Sequence, residues 1–303
     1  MWKYVVKRIA LAIVTIFIII TITFFAMNAI PGGPFQKEKS PLPAVQAVLE
    51  ERFNLDKPLI VQFGLYLRNM FRGDFGISLK TGREISAIIG ESFAISAKIG
   101  AAAIITALLP GLIFGSAAAL MRNKWPDRLI IFSSTVFVSV PSFVLATILL
   151  LVFSLKLGWV PVWSIKNPSY ILPIVALALY PMSYITRLTK SSMLDVLNQD
   201  YIRTARSKGV AERWVIFKHA LRNALLPVIT YLGPMAAYIL TGSLVVETVF
   251  TIGGLGTKFV SGITNRDYPM IMATTIFLAV LMVIMTLLSD LVYKLVDPKI
   301  KFE

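Results

Sequence analysis

Asp200-Tyr-Ile-Arg-Thr-Ala-Arg-Ser-Lys-Gly209 interrupts a strongly apolar chain with a compact, basic stretch of good helix formers closed by a glycine. Polar residues dominate from Arg187 to Arg222, yet nothing there is low in complexity, so the stretch reads as an ordered docking element and not as a connector. Around it, 303 residues are 56% hydrophobic and 15% charged, with a mean hydropathy of +0.75, far more apolar than a soluble domain of this length. Such a chain belongs in a bilayer. Its formal charge of +14 does not mark a nucleic-acid partner, because the basic residues sit mainly between apolar runs, where the positive-inside rule puts them. With no cysteine and one histidine, disulfides, thiolate metal sites and histidine-based catalysis have little to build on.

A hydrocarbon core about 30 Å thick requires runs of roughly 20 apolar residues. Six are found, near Ile9–Ile30, Ile99–Met121, Leu129–Leu155, Tyr170–Thr186, Ala224–Val246 and Tyr268–Ser289. The first is longer than a signal-peptide core and is read as a retained anchor. The short link Arg122-Asn-Lys-Trp-Pro-Asp-Arg128 implies a tight helical hairpin, and Pro173 and Pro181 should bend the fourth span. Lys3, Lys7 and Arg8, then Arg122, Lys124 and Arg128, then eight Lys or Arg from Arg187 to Arg222, then Lys294, Lys299 and Lys301 all fall on one side, which makes that side and both termini cytoplasmic. The expected fold is an all-α polytopic membrane protein with six transmembrane helices and a small helical cap outside. The cap is suggested by Val45, Val48, Leu49 and Phe53, and by Phe63, Leu67 and Phe71, which recur at helical spacing. The chain then divides into residues 1–30, holding the N-terminus and first span; 31–98, the extracytoplasmic cap; and 99–303, a five-helix core carrying the cytoplasmic loop 187–222.

No Gly-x-x-x-x-Gly-Lys-Ser/Thr loop, Gly-x-Ser-x-Gly elbow or His-Glu-x-x-His pair occurs, so neither ATP binding of the usual kind nor hydrolase chemistry has visible apparatus. His219 lies outside the spans and reads as a surface or packing residue. The six cores hold essentially no acidic residue, which disfavours the alternative of a self-contained secondary carrier or channel. Lys98, Lys156, Arg187, Glu247 and Asp290 fall near span ends, where long side chains reach water; Asp290 has the least reach and wants a partner, with Lys294 one turn on. In the polar stretch, Met193, Leu194 and Leu197 form one apolar edge of a helix expected to continue through Ala205, with Arg203, Arg206 and Lys208 facing outward and Gly209 allowing the left-handed stop. Trp214, Phe217 and Leu221 share one face of a second amphipathic piece, with Arg213 and Lys218 elsewhere.

The same stretch, followed by His219-Ala-Leu-Arg-Asn-Ala-Leu-Leu-Pro-Val228, resembles the cytoplasmic signature loop of permease subunits in ABC importers of the oligopeptide/dipeptide group. Against the general importer pattern Glu-Ala-Ala-x-x-x-Gly-x9-Ile-x-Leu-Pro, Arg203, Thr204 and Ala205 occupy the first three places and Gly209 keeps the glycine, while His219, Leu221 and Arg222 stand where Ile, Leu and Pro would be. These departures follow the peptide-importer variant. Ile30-Pro-Gly-Gly-Pro-Phe35, Gly73-Asp-Phe-Gly76, Pro141-Ser-Phe143, Gly158-Trp-Val-Pro161, Glu247-Thr-Val-Phe-Thr-Ile-Gly-Gly-Leu-Gly256, Asn265-Arg-Asp-Tyr-Pro269 and Asp297-Pro-Lys299 resemble the family in the expected order, with Gly253 in place of a usual Pro. The Pro-Gly-x-Pro-Phe form after the first span is closer to the B subunit of oligopeptide permeases than to the dipeptide version.

The resemblance implies a type I ABC importer permease fold in a bacterial inner membrane. The partners it implies are a second homologous permease subunit, two cytoplasmic ATPases and an extracytoplasmic peptide-binding protein. It implies no enzyme activity, no nucleic-acid partner and no cofactor bound by this chain. Asp200, Arg203, Thr204, Ala205, Arg206, Lys208 and Gly209 would couple to an ATPase. Gly73, Asp74, Phe75, Gly76, Gly254, Gly256, Asn265, Arg266 and Asp267 would lie on loops facing the binding protein.

Overall fold

The computed structural model describes residues 2–30, 57–240 and 244–296, with the side chains of 6–30, 57–240 and 244–290. The amphipathic residues Val45, Val48, Leu49 and Phe53 and the Ile30–Phe35 motif after its first residue lie outside that range, as does the side chain of Lys294. The helices are α1 (Trp2–Ala29), α2 (Leu59–Met70), α3 (Ile85–Leu120), α4 (Trp125–Ser139), α5 (Ser142–Leu149, continued by a π-helical turn Leu150–Lys156), α6 (Ile171–Leu197), α7 (Asp200–Ser207), α8 (Leu226–Leu240), α9 (Leu244–Val249), α10 (Leu255–Asn265) and α11 (Tyr268–Val296). Between α7 and α8 run Glu212–Trp214, a π-helical Val215–Leu221 and Arg222–Ala224. An isolated bridge between Ile77 and Glu84 is the one β pairing among the described residues.

Among the described residues, five helical stretches are long and apolar enough to cross a membrane, and a sixth crossing results if α4 and the Ser142–Lys156 segment count as one broken span. That pair is bent by 105°, where the sequence predicts an unbroken run over Leu129–Leu155. Val140 is the cause: it precedes a proline, takes extended angles of φ −85° and ψ 127° and ends α4, while Pro141 opens α5 without an amide hydrogen to give back. Pro173 falls in the first turn of α6, where the missing donor would have had no helical acceptor, and α6 runs as one helix past Pro181.

The chain forms two compact units, residues 1–95 with 253–283, and residues 96–252 with 284–303. In the first, Ile20 and Phe24 of α1 meet Phe63 of α2 and Ile276 of α11, with the Phe24 and Phe63 rings 5.2 Å apart. Phe63 and Leu67 use the helical spacing as expected, but Phe71 lies beyond the end of α2 and is 82% exposed. A second cluster joins Ile85, Ile88 and Ile89 at the start of α3 to Leu255, Met270 and Ala273.

In the second unit, α3 and α6 cross at their small residues. A Cβ added at Gly115 would stand 2.6 Å from both the Thr186 carbonyl oxygen and Thr189 Cβ, and one at Gly111 would stand 2.8 Å from Ile185 Cγ2. This is the close backbone approach that small residues four apart permit in membrane helices. Gly115→Ala therefore forces the helices apart, at about 1–3 kcal/mol for overpacking. The expected result is a lower yield of folded protein and a lower detergent melting temperature, while the same change at Gly90, whose added Cβ meets nothing within 4 Å, leaves both nearly unchanged.

Candidate functional site

The stretch Asp200–Gly209, expected to couple to an ATPase, contains α7, and its cap geometry explains why the helix starts and stops where it does. α6 ends at Leu197, and Gln199 takes extended angles of φ −74° and ψ 150° as the N-cap of a new helix, so the helix predicted to continue from Met193 through Ala205 is two helices. Asp200 in the first turn and Arg206 in the last both oppose the helix dipole. At the far end Gly209 donates to the Arg206 carbonyl at 2.9 Å and Val210 to the Ala205 carbonyl at 3.2 Å, the paired bonds of a Schellman stop. Gly209 has φ +76°, the left-handed conformation that glycine adopts without penalty.

The two faces of α7 have different work. Ile202 is fully buried and Ala205 nearly so, packed with Met193, Val215, Ala220, Ala224 and the C-terminal end of α3 at Ala119. Asp200, Arg203, Thr204, Arg206, Lys208 and Gly209 are exposed. Of the seven residues singled out for coupling, Ala205 thus seats the helix on the body of its own chain, and the other six present an outward surface. The Asp200–Arg203 contact of 3.5 Å is solvated and adds little.

Arg206 holds Glu212 in a fork, Nε to Oε2 at 3.1 Å and Nη2 to Oε1 at 2.6 Å, closing the turn after Gly209. These bonds lower the Glu212 carboxyl below the ordinary glutamate value and raise the Arg206 guanidinium. Because the folded Glu212 value is depressed, the pair contributes above the ordinary glutamate pKa and is lost as pH falls through the depressed one; both groups are well exposed, so the contribution stays under about 1 kcal/mol. Asn223 Nδ2 donates to Tyr201 Oη at 2.8 Å and to the His219 carbonyl at 3.2 Å, tying the following segment back to α7. There the expected shared face fails: Leu221 packs on the core, but Trp214 and Phe217 are 53% and 67% exposed. A π-helical turn is wider than the 3.6-residue turn that the spacing assumes.

Two buried polar contacts escaped the sequence reading. Asp127, 4% exposed, accepts from Lys190 Nζ of α6 and from the Asn123 amide at 2.9 Å, so the basic hairpin is pinned to α6 through one carboxylate. Glu247, taken as a span-end side chain reaching water, is 2% exposed in α9 and accepts from Ser96 Oγ at 2.7 Å.

In the first unit the residues assigned to outer loops converge. Gly73 and Gly76 turn the chain with φ +77° and +81°, and Asp74 Oδ1 accepts from the Gly76 amide at 2.8 Å. Phe75 packs against the Ile85–Met270 cluster. Asp267 is 3% exposed and spends both oxygens internally, Oδ2 accepting from Ser78 Oγ at 2.5 Å and Oδ1 from the Leu79 amide at 3.2 Å. Gly254 caps α10 and Gly256 is buried within it; Asn265 bonds back to Ser261, and Arg266 ends the helix at φ +54°. Asp267 is therefore the clasp that brings the two loops together. No cluster of His, Cys, Asp or Glu able to hold a metal occurs among the described residues.

The family model described as binding-protein-dependent transport system inner membrane component matches residues 111–302, and that of the N-terminal membrane component matches 1–112. This chain belongs to that family. The permease is 45% identical over 303 residues to the dipeptide transport system permease protein of Bacillus subtilis (strain 168), covering 99% of this chain and 98% of the relative. It is 41% identical over 306 residues to the oligopeptide transport system permease protein of Haemophilus influenzae, covering all of both. Among solved structures, it resembles a chain of the inward-facing MetNI methionine ABC transporter with a TM-score of 0.58 at 15% identity, covering 69% of the permease and 96% of that chain. An amino acid ABC transporter gives a TM-score of 0.57 at 16% identity, over 69% of the permease and 94% of that chain. The fold is that of the type I ABC importer permeases, and the permease is a multi-pass membrane transport subunit, not an enzyme. Dipeptide and oligopeptide permeases both match over the full chain, so the leaning toward the oligopeptide form rests on the sequence motif alone.

Proposed function

We propose that this chain is one of two homologous permease subunits of an ATP-driven importer, forming half of the path for peptides delivered by an extracytoplasmic binding protein. The observation that carries this reading is the 45% and 41% identity, end to end, to dipeptide and oligopeptide permeases. Asp200, Arg203, Thr204, Arg206, Lys208 and Gly209 form the outward surface that would sit in a groove of a cytoplasmic ATPase, with Ala205 anchoring it from behind. Rigid seating lets closure of the ATPases turn the spans by a rigid-body shift. In the six-span topology expected from the basic residues, the loops through Gly73–Gly76 and Gly254–Asp267 would be extracytoplasmic, where a binding protein could dock.

Uptake of labelled tri-alanine by vesicles holding the complete importer should require ATP and the binding protein. Peptide movement by the isolated permease down an ion gradient, with no ATPase present, would contradict the reading and favour a self-contained carrier. Orientation has its own check, because the chain has no cysteine of its own. Gly73→Cys should react with an impermeant thiol reagent from outside, and Lys124→Cys only from inside. Reaction of both from outside would put α7 in the wrong compartment.

A further inference from the structure

The break between α4 and α5 opens onto a cavity of about 680 Å3 within the second unit, of the size that small-molecule sites occupy, roughly 300–1,000 Å3. It lies in the interior of three candidate spans, and each contributes a proline to its wall: Pro141 at the break, Pro181 in α6 and Pro234 in α8. Every one of these prolines frees backbone polar groups. Pro181 has no amide hydrogen, so the Leu177 carbonyl, also in the wall, loses its helical donor; Pro234 does the same to the carbonyl of Thr230. At the break, the amides of Ser142 and Phe143 open α5 with no preceding turn to receive them.

Irregular backbone at membrane depth is tolerated only where it is buried in protein or lines a watered cavity, and discontinuous spans are where transporters build their substrate sites. Among the described residues, no Asp, Glu, Lys, Arg or His lines this cavity. Its side-chain polarity comes from Ser139, Ser142 and the hydroxyls of Tyr180, Tyr231 and Tyr238, and Tyr180 and Tyr238 are 45% and 65% exposed.

We propose that this cavity is a contact site for the peptide backbone inside the translocation path, an inference that rests on the peptide-importer reading. The Leu177 carbonyl, deprived of its i+4 donor by Pro181, accepts from a peptide amide, and the Ser142 and Phe143 amides and the hydroxyls of Tyr180 and Tyr231 donate to peptide carbonyls. These groups are common to every peptide whatever its side chains. The aromatic rings and Met235 give side chains apolar contact without selecting among them, and the absence of fixed charge leaves no ion pair to trap the cargo.

The cysteine-free chain provides the test. Tyr180→Cys and Tyr238→Cys are placed separately in the complete importer in membrane vesicles, and their reaction with a small maleimide is timed during ATP turnover. Adding a mixture of tri-, tetra- and penta-alanine with the binding protein should slow both reactions roughly tenfold, as burial of most of a ligand's surface in a pocket implies. Free alanine should not, and Phe132→Cys, 68% exposed on α4 and outside the cavity, should react at an unchanged rate. Unchanged reaction at both positions while the variants still import peptide overturns the cavity site and leaves the importer reading standing. So does complete unreactivity at both positions with and without peptide, which would mean that the second permease subunit covers this face. Failure of the unmodified complex to import any of the three peptides would instead remove the importer reading itself. Should the cysteine variants not assemble, Tyr180→Phe and Tyr231→Phe decide: a raised KM for peptide is expected, and an unchanged KM for both overturns the site.

Discussion

Gly209→Val should insert and accumulate at near-normal levels yet lose most peptide uptake and release ATPase subunit on purification. At φ +76° a β-branched residue is strained by roughly 1–2 kcal/mol or more, while an added Cβ would meet nothing within 4 Å, so the cost is confined to the backbone. That strain is relieved by opening the Schellman stop formed by the Gly209 and Val210 amides, which turns α7 on its base. A helix resting on lipid has diffuse contacts and tolerates such a change, whereas one seated in a protein groove depends on its angle. The effect should be graded. Gly209→Asn, which accepts the left-handed conformation, should keep most uptake; Gly209→Ala should fall between. Full uptake and full ATPase retention in the valine variant would remove the docking role from Arg203 through Gly209 without touching the spans.

Lys190→Met should cost the largest amount of stability of any single change considered. It leaves the Asp127 carboxylate, 4% exposed, with the Asn123 amide as its hydrogen-bond donor and Arg122 as a nearby charge, and stripping one partner from a buried pair costs roughly 3–5 kcal/mol. Asp127→Asn should cost less, because the amide oxygen can still accept from Asn123 and the Lys190 side chain, 20% exposed, can extend toward water. Replacing both, as Asp127→Leu with Lys190→Met, should recover part of the loss, since no buried charge is then orphaned. The measurement is detergent melting temperature with yield of monodisperse protein. Equal stability of all three variants with the native chain would mean that the pair does not hold the hairpin to α6.

Long apolar runs made α1, α6 and α11 readable, because hydrocarbon thickness fixes their length. α3 was harder. It begins at Ile85, well before the apolar run starting at Ile99, since Glu91 and Lys98 dilute the hydropathy of turns that are helical nonetheless. The 105° break at Val140–Pro141 was invisible to a window that averages over Leu129–Leu155. In the basic stretch around α7, the charge pattern and Gly209 gave away the outward face and its stop, but not the inward turn of Ala205 or the new start at Gln199. Asp127 and Lys190 lie 63 positions apart, so nothing local links them. The clasp at Asp267 was hidden for the same reason, its partner Ser78 being 189 residues away.

Seating of α7 on an ATPase is tested most directly by photocrosslinking from Arg203→Cys, an exposed position on the outward face, carrying a maleimide-linked benzophenone in the complete importer. A crosslink to the cytoplasmic ATPase subunit is expected from Arg203→Cys and from Lys208→Cys, and none from Trp125→Cys, which is 76% exposed at the start of α4. Crosslinks from Arg203→Cys to lipid alone, in a complex that still contains the ATPase and imports peptide, would contradict the seating of α7 in an ATPase groove.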